Sequence, residues 1–120
     1  MLALQALAAE YKVPSYWHVR AESQEDPYSV AQAYGEVISF AAATGSWVHI
    51  CHLNSTSFHE IGPSAKMIQT AQMQGLKITV EAYPYGAGST GIGATFLAPE
   101  NLPRLGMTYE SIEYGEEGVE

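Results

Sequence analysis

The stretch SWVHICH, Ser46 to His52, follows a glycine and precedes the polar run LNSTSFHEIG. Its centre is aromatic and β-branched, and its length suits a buried strand, about 4 to 8 residues, better than a helix. It reads as a strand. Upstream, Asp26 and Pro27 start a helix from about Tyr28 to Ala43, with Val30, Ala33, Val37, Ile38 and Ala41 on one side and Gly45 as its stop. Downstream, the polar run reads as a loop that leads to Pro63 and the helix SAKMIQTAQMQ, where Met67, Ile68 and Ala71 form the apolar stripe and Gly75 closes it.

The same alternation extends outward. VPSYWHV (residues 13 to 19) and LKITVEAY (residues 76 to 83) are β-prone runs, and residues 2 to 11, with Leu2, Leu4, Leu7 and Tyr11 among alanines, read as a helix. The order helix, strand, helix, strand, helix, strand predicts parallel strands joined by right-handed crossover helices, an α/β chain. His18, His52 and Tyr83 fall where strands hand over to loops, 34 and then 31 residues apart, the length of one strand-plus-helix unit. In parallel α/β folds that edge is where active sites are built. Closing a barrel takes eight strands and about 250 residues, so the chain reads either as a small open sheet or as a portion of a larger one. Residues 1 to 98 hold the three units; residues 99 to 120 form an acidic, loop-rich segment with little apolar periodicity.

Composition narrows the function. The chain of 120 residues is 47% hydrophobic and 15% charged, as a folded domain is, and its net charge of −8 disfavours nucleic acid and anionic membrane surfaces as partners. No apolar run approaches the roughly 20 residues of a membrane span, and the opening lacks the cationic start of a signal peptide. The single cysteine, Cys51, excludes an internal disulfide and a cysteine-cluster zinc site, and suits a reducing, cytoplasmic compartment.

Two motifs fit by letter and fail by context. Gly86-Ala87-Gly88-Ser89-Thr90-Gly91 matches the phosphate-cradling G-x-G-x-x-G, but that loop must open directly into a helix, and Gly93, Thr95 and Pro99 stand against one. Ala87 to Gly91 approximates a serine-hydrolase elbow, which on its usual fold needs an acid and then a histidine later in the chain. All four histidines lie before residue 60, so Ser89 is not expected to be a nucleophile.

The histidines point elsewhere. Alternation groups Tyr16 with His18, and Val48 and Ile50 with His52, which sends both imidazoles toward one interior if the strands are neighbours. Imidazole is a common zinc ligand, and two at adjacent strand ends supply half of a tetrahedral shell; the alternative is a pair of hydrogen-bonded structural histidines. His49, on the other strand face, and His59, in the loop, read as structural or solvent-facing, and Cys51 as a small hydrophobe between sheet and helix.

YWHVRAES, VHICHLNSTS and GLKITVEAYPYGAGSTGIGATF together resemble the middle of the amidohydrolase superfamily, most closely the N-acyl-D-amino-acid deacylase (D-aminoacylase) group, through its H-x-R-x-E, H-x-K and Y-P-Y-x-A-G-S-T motifs. The resemblance implies a partial segment of a metal-dependent (β/α)8 TIM barrel, strands five to seven with their helices. It implies His18 and His52 as ligands of zinc, one or two ions in the intact enzyme. It makes Tyr83, Ser89, Arg20 and Asn54 substrate-binding residues for an N-acyl amino acid, with Tyr83 and Ser89 on its carboxylate. Asn54 stands where the family has lysine and Glu81 where it commonly has aspartate. The family's H-x-H pair, bridging ligand and late catalytic aspartate have no counterpart here, so the chain alone is expected to be inactive. Alternatives are a cyclic-amide hydrolase of the dihydroorotase or hydantoinase kind, favoured by Asn54, and a non-catalytic module that self-associates through exposed sheet edges.

Overall fold

The computed structural model describes residues 1–19 and 30–115. They divide into two compact units, Met1–Gly88 and Ser89–Glu120. In the first, α1 (Leu2–Glu10) leads to β1 (Pro14–Trp17), α2 (Val30–Thr44) to β2 (Trp47–Ile50), and α3 (Leu53–Ser57), a 3-10 turn (Phe58–Glu60) and α4 (Ile61–Met73) to β3 (Ile78–Val80). The strands form one parallel sheet in the order β1-β2-β3. The expected α/β organisation is therefore present. The second unit carries 3-10 turns at Thr95–Leu97, Leu102–Leu105 and Tyr109–Ser111, the last closed by reciprocal bonds between Thr108 and Ser111.

Consecutive order has a consequence. Right-handed crossovers between strands added always on the same side put their helices on one face of the sheet. The core agrees: Val30, Ala33, Tyr34, Val37 and Ala41 of α2 and Ile68 and Ala71 of α4 pack with Val48 and Ile50 of β2 and Ile78 of β3. The other face, with Tyr16 68% and Trp47 45% exposed, carries no helix among the described residues.

Helix ends follow the expected chemistry. Gly45 takes positive φ directly after α2 and Gly75 does so one residue beyond α4, where its N–H reaches Gln72 O and Leu76 N–H reaches Ala71 O. Pro63 lies inside the first turn of α4, where a missing N–H costs nothing. The run LNSTSFHEIG differs from expectation. It is helical from Leu53 onward, because Leu53 joins the core and the Thr56 and Ser57 hydroxyls are satisfied internally rather than by water.

In α1 the leucines turn outward. Leu2, Leu4, Leu7 and Tyr11 are exposed, while Ala8 and Gln5 are buried and Gln5 Oε1 accepts a 3.0 Å bond from Ser46 Oγ beside β2. The apolar residues of this helix mark its helicity but not its inner face. No described helix is long and apolar enough to cross a membrane.

Ile50 has no exposed surface and sits on the central strand at the last pair of both registers, opposite Trp17 and Val80. Ile50→Ala is expected to lower unfolding free energy by about 2–5 kcal/mol in urea titrations, and Ile50→Val by about 0.5–1.5 kcal/mol.

Candidate functional site

The strand ends meet as the spacing suggests, by a different route. Register pairs Tyr16 with His49 and Trp17 with Ile50, so the face shared by Tyr16 and His18 is the His49 face, not the Val48 and Ile50 face. Strict alternation would send His52 after Ile50 toward the helices. Instead His52 takes a left-handed backbone, φ 35° and ψ 59°, and its Nε2 comes 3.1 Å from His18 Nδ1. The rings meet edge-on, with centroids 4.7 Å apart and planes at 65°. The expectation from alternation is thus corrected: the imidazoles converge because alternation is broken at His52.

This pair fits two chemistries. A tetrahedral zinc with Zn–N of about 2.0–2.1 Å holds two ligand nitrogens about 3.3–3.4 Å apart. The separation of 3.1 Å is within a few tenths of an ångström of that, and it also suits a direct N–H···N bond. Ser55 Oγ lies 3.2 Å from His52 Nδ1 and 3.3 Å from the His52 carbonyl. With its own proton on the carbonyl, the serine accepts Nδ1–H and leaves the Nε2 lone pair facing His18, the tautomer that ligation requires. Among the described residues no group of three or more His, Cys, Asp and Glu is placed to hold a metal, so the pair stands as two donors.

Asn54 and Tyr83 are also brought together. Asn54 Nδ2 donates to the Tyr83 carbonyl at 3.2 Å, and Asn54 Oδ1 is buried without a hydrogen-bond partner. Leu53 N–H to Glu81 O at 2.8 Å and Glu81 N–H to Ile50 O at 3.2 Å tie the same corner to the end of β3. The Tyr83 hydroxyl rests against Gly88, where an added Cβ would sit 3.0 Å from it. That close approach gives one glycine of the GAGSTG run a packing reason. No helix or strand begins between residues 86 and 94, so the run does not open into a helix as a dinucleotide loop must. Ser89 is exposed and belongs to the second unit, and Arg20 lies outside the described residues.

The open sheet face holds a second cluster. His49 Nδ1 is 2.9 Å from Thr79 Oγ1, its Nε2 is 3.4 Å from Glu81 Oε2 without hydrogen-bond alignment, and its ring lies 4.9 Å from that of Tyr16. His49 therefore shares the face of Tyr16 rather than facing away from it. Cys51 has the same parity and is half-buried, with its N–H donated to Trp17 O, so it does not pack between sheet and helix as expected. Burial first and the Glu81 charge second push the Cys51 thiol up, against a lowering backbone bond at Trp17.

Three residues that build the site went unmarked in the sequence: Tyr34, Ser55 and Thr56. Their signal was the hydroxyl run Ser55-Thr56-Ser57 directly after a candidate ligand, together with a tyrosine on the apolar side of α2. Comparison with family models, with curated proteins and with solved structures finds no match.

Since the thiolate is the reactive form, Cys51 is expected to react with iodoacetamide at pH 8 more slowly than a cysteine in an unstructured peptide. Glu81→Gln removes the smaller of the two raising causes; the rate should increase yet stay below that of the peptide.

Proposed function

We propose that the chain is part of a (β/α)8 barrel belonging to a zinc-dependent amidohydrolase that cleaves C–N amide bonds, with N-acyl-D-amino acids as the substrate class. The observation that carries this reading is the His18–His52 nitrogen pair at the ends of adjacent parallel strands. The consecutive strand order with helices on one face supports it, since a barrel winds in that manner and keeps the opposite face for its interior. The motif resemblance supplies the reaction class.

Zinc held by the pair would polarise the amide carbonyl and lower the pKa of water to about 7. The chain's own residues do the rest of what can be assigned to it. His18 Nδ1 and His52 Nε2 donate lone pairs, Ser55 fixes the His52 ring, and Asn54 holds the backbone of Tyr83 so that its hydroxyl lies over Gly88. The sequence has no H-x-H and no aspartate after Asp26, so the remaining ligands and the general base belong to chain beyond these residues. Zinc titration of the 120-residue protein, followed by equilibrium dialysis, should show one ion per chain, lost in His18→Ala and His52→Ala. Hydrolysis of N-acetyl-D-amino acids should stay at the buffer rate. A wild-type protein that retains no zinc, or alanine variants that retain it equally, overturns the reading.

Asn54 favours a second substrate class within the same superfamily. One of its two amide N–H groups is given to the Tyr83 carbonyl, and its Oδ1 is an acceptor without a hydrogen-bond partner. An acceptor matches a substrate that brings an N–H, as the ring of a cyclic amide does, and opposes a carboxylate, which brings only acceptors. In NMR titrations of the zinc-loaded protein, a hydantoin should shift the Asn54 side-chain amide resonances while an N-acetyl-D-amino acid does not. Asn54→Lys should reverse that preference; unchanged selectivity would remove the cyclic-amide reading.

A further inference from the structure

His52 needs something to hold it. A residue other than glycine in the left-handed region is strained and persists only where its surroundings over-determine it. The five-residue helix α3 that follows is strained at its far end as well, with Phe58 at φ 44° and ψ −120°. Neither position is relieved by glycine, and the side chain of His52 is half-exposed, so packing of the imidazole is not what fixes the turn.

A path of hydroxyls from α2 reaches this turn. Tyr34 has no exposed surface, and its hydroxyl lies 2.6 Å from Thr56 Oγ1 and accepts a 2.9 Å bond from Ser57 Oγ. Thr56 Oγ1 in turn donates to the His52 carbonyl at 3.3 Å. The Leu53 carbonyl lies slightly farther from Thr56 Oγ1, at 3.5 Å; with one proton per hydroxyl and Thr56 donating to His52, the remaining directions are Ser57 to Tyr34 and Tyr34 to Thr56. Thr56 and Ser57 are buried, and a chain of buried hydrogen bonds polarises its members in one direction. The last of these bonds acts directly on the His52 backbone, and the other two hold Thr56 in place to make it.

We infer that Tyr34 is a positioning residue for the candidate metal centre: its buried hydroxyl, acting through Thr56, holds His52 in the left-handed turn that brings Nε2 to His18. The inference deepens the zinc reading of the pair, but the geometry it concerns exists without metal. The described hydrogen bonds of the Tyr34 hydroxyl go to Thr56 and Ser57 and not to an imidazole. Tyr34 sets where one imidazole points.

The test uses the full chain in two arms. Without metal, imidazole 15N and 13C resonances of His18, His52 and His49 are compared in wild type, Tyr34→Phe and Thr56→Val, the second variant guarding against loss of folding in the first. Both should shift His52 and His18 and leave His49 in place, since His49 is held by Thr79 and Glu81 on the open face. General destabilisation would move all three histidines together, and unchanged His52 resonances in a folded variant would equally overturn the inference. With zinc, both variants should lose at least about tenfold in affinity, the effect of removing a group that orients a ligand. Wild-type affinity retained in both overturns the inference. If the wild type itself binds no zinc, the functional reading fails while the metal-free arm still decides the role of Tyr34.

Discussion

A strand that ran straight through His52 would bury its imidazole among the helices, beside Val48 and Ile50. The left-handed backbone at this one residue ends the pleat, turns the ring toward His18 and starts α3 in the same step. Much of the local structure serves that bend. Leu53 enters the core, Asn54 ties the end of β3, Ser55 addresses the ring and its carbonyl, and Thr56 connects to Tyr34. Five consecutive residues thus leave the strand, place an imidazole, anchor a neighbouring strand end and join the helix layer, which explains why a run that reads as a polar loop is helical and partly buried.

The asymmetry of the sheet is the second constraint. Helices on one face leave the other lined by Tyr16, Trp47, His49, Thr79 and Glu81, and polar side chains there satisfy one another rather than water alone. The mixture of aromatic, hydroxyl and charged groups distinguishes this face from the apolar face that packs on the helices.

Element type and order were legible because each rests on short-range chemistry: apolar periodicity for α2 and α4, Gly45 and Gly75 as stops, β-branched runs between polar flanks. The His18–His52 convergence was legible only as a spacing. Its geometric reason was not, because parallel register is fixed between strands by hydrogen bonding and core packing, and a shift of one residue exchanges the two faces. Reading both histidines by parity assumed that Tyr16 lay opposite Ile50; it lies opposite His49. The inner face of α1 was hidden for a related reason. Gln5 is buried because Ser46 offers it a bond, a long-range pairing that no local pattern announces, and the leucines point away as a result.

Tyr34 shows how a functional role can sit inside an apolar stripe. A tyrosine at a core position of an amphipathic helix is expected to fill space, and its ring does so among Val30, Val37 and Ile50. Its hydroxyl, however, must find partners when buried, and a serine-threonine run at the start of α3 supplies both a donor and an acceptor. Phenylalanine would fill the same volume and leave the Thr56 and Ser57 hydroxyls to find other partners. The hydroxyl is therefore justified by the path it completes toward His52, and the strain at His52 is justified by the pair of nitrogens it aligns. Core packing, backbone strain and the placing of the two imidazoles are in this way one continuous arrangement from α2 to the strand ends.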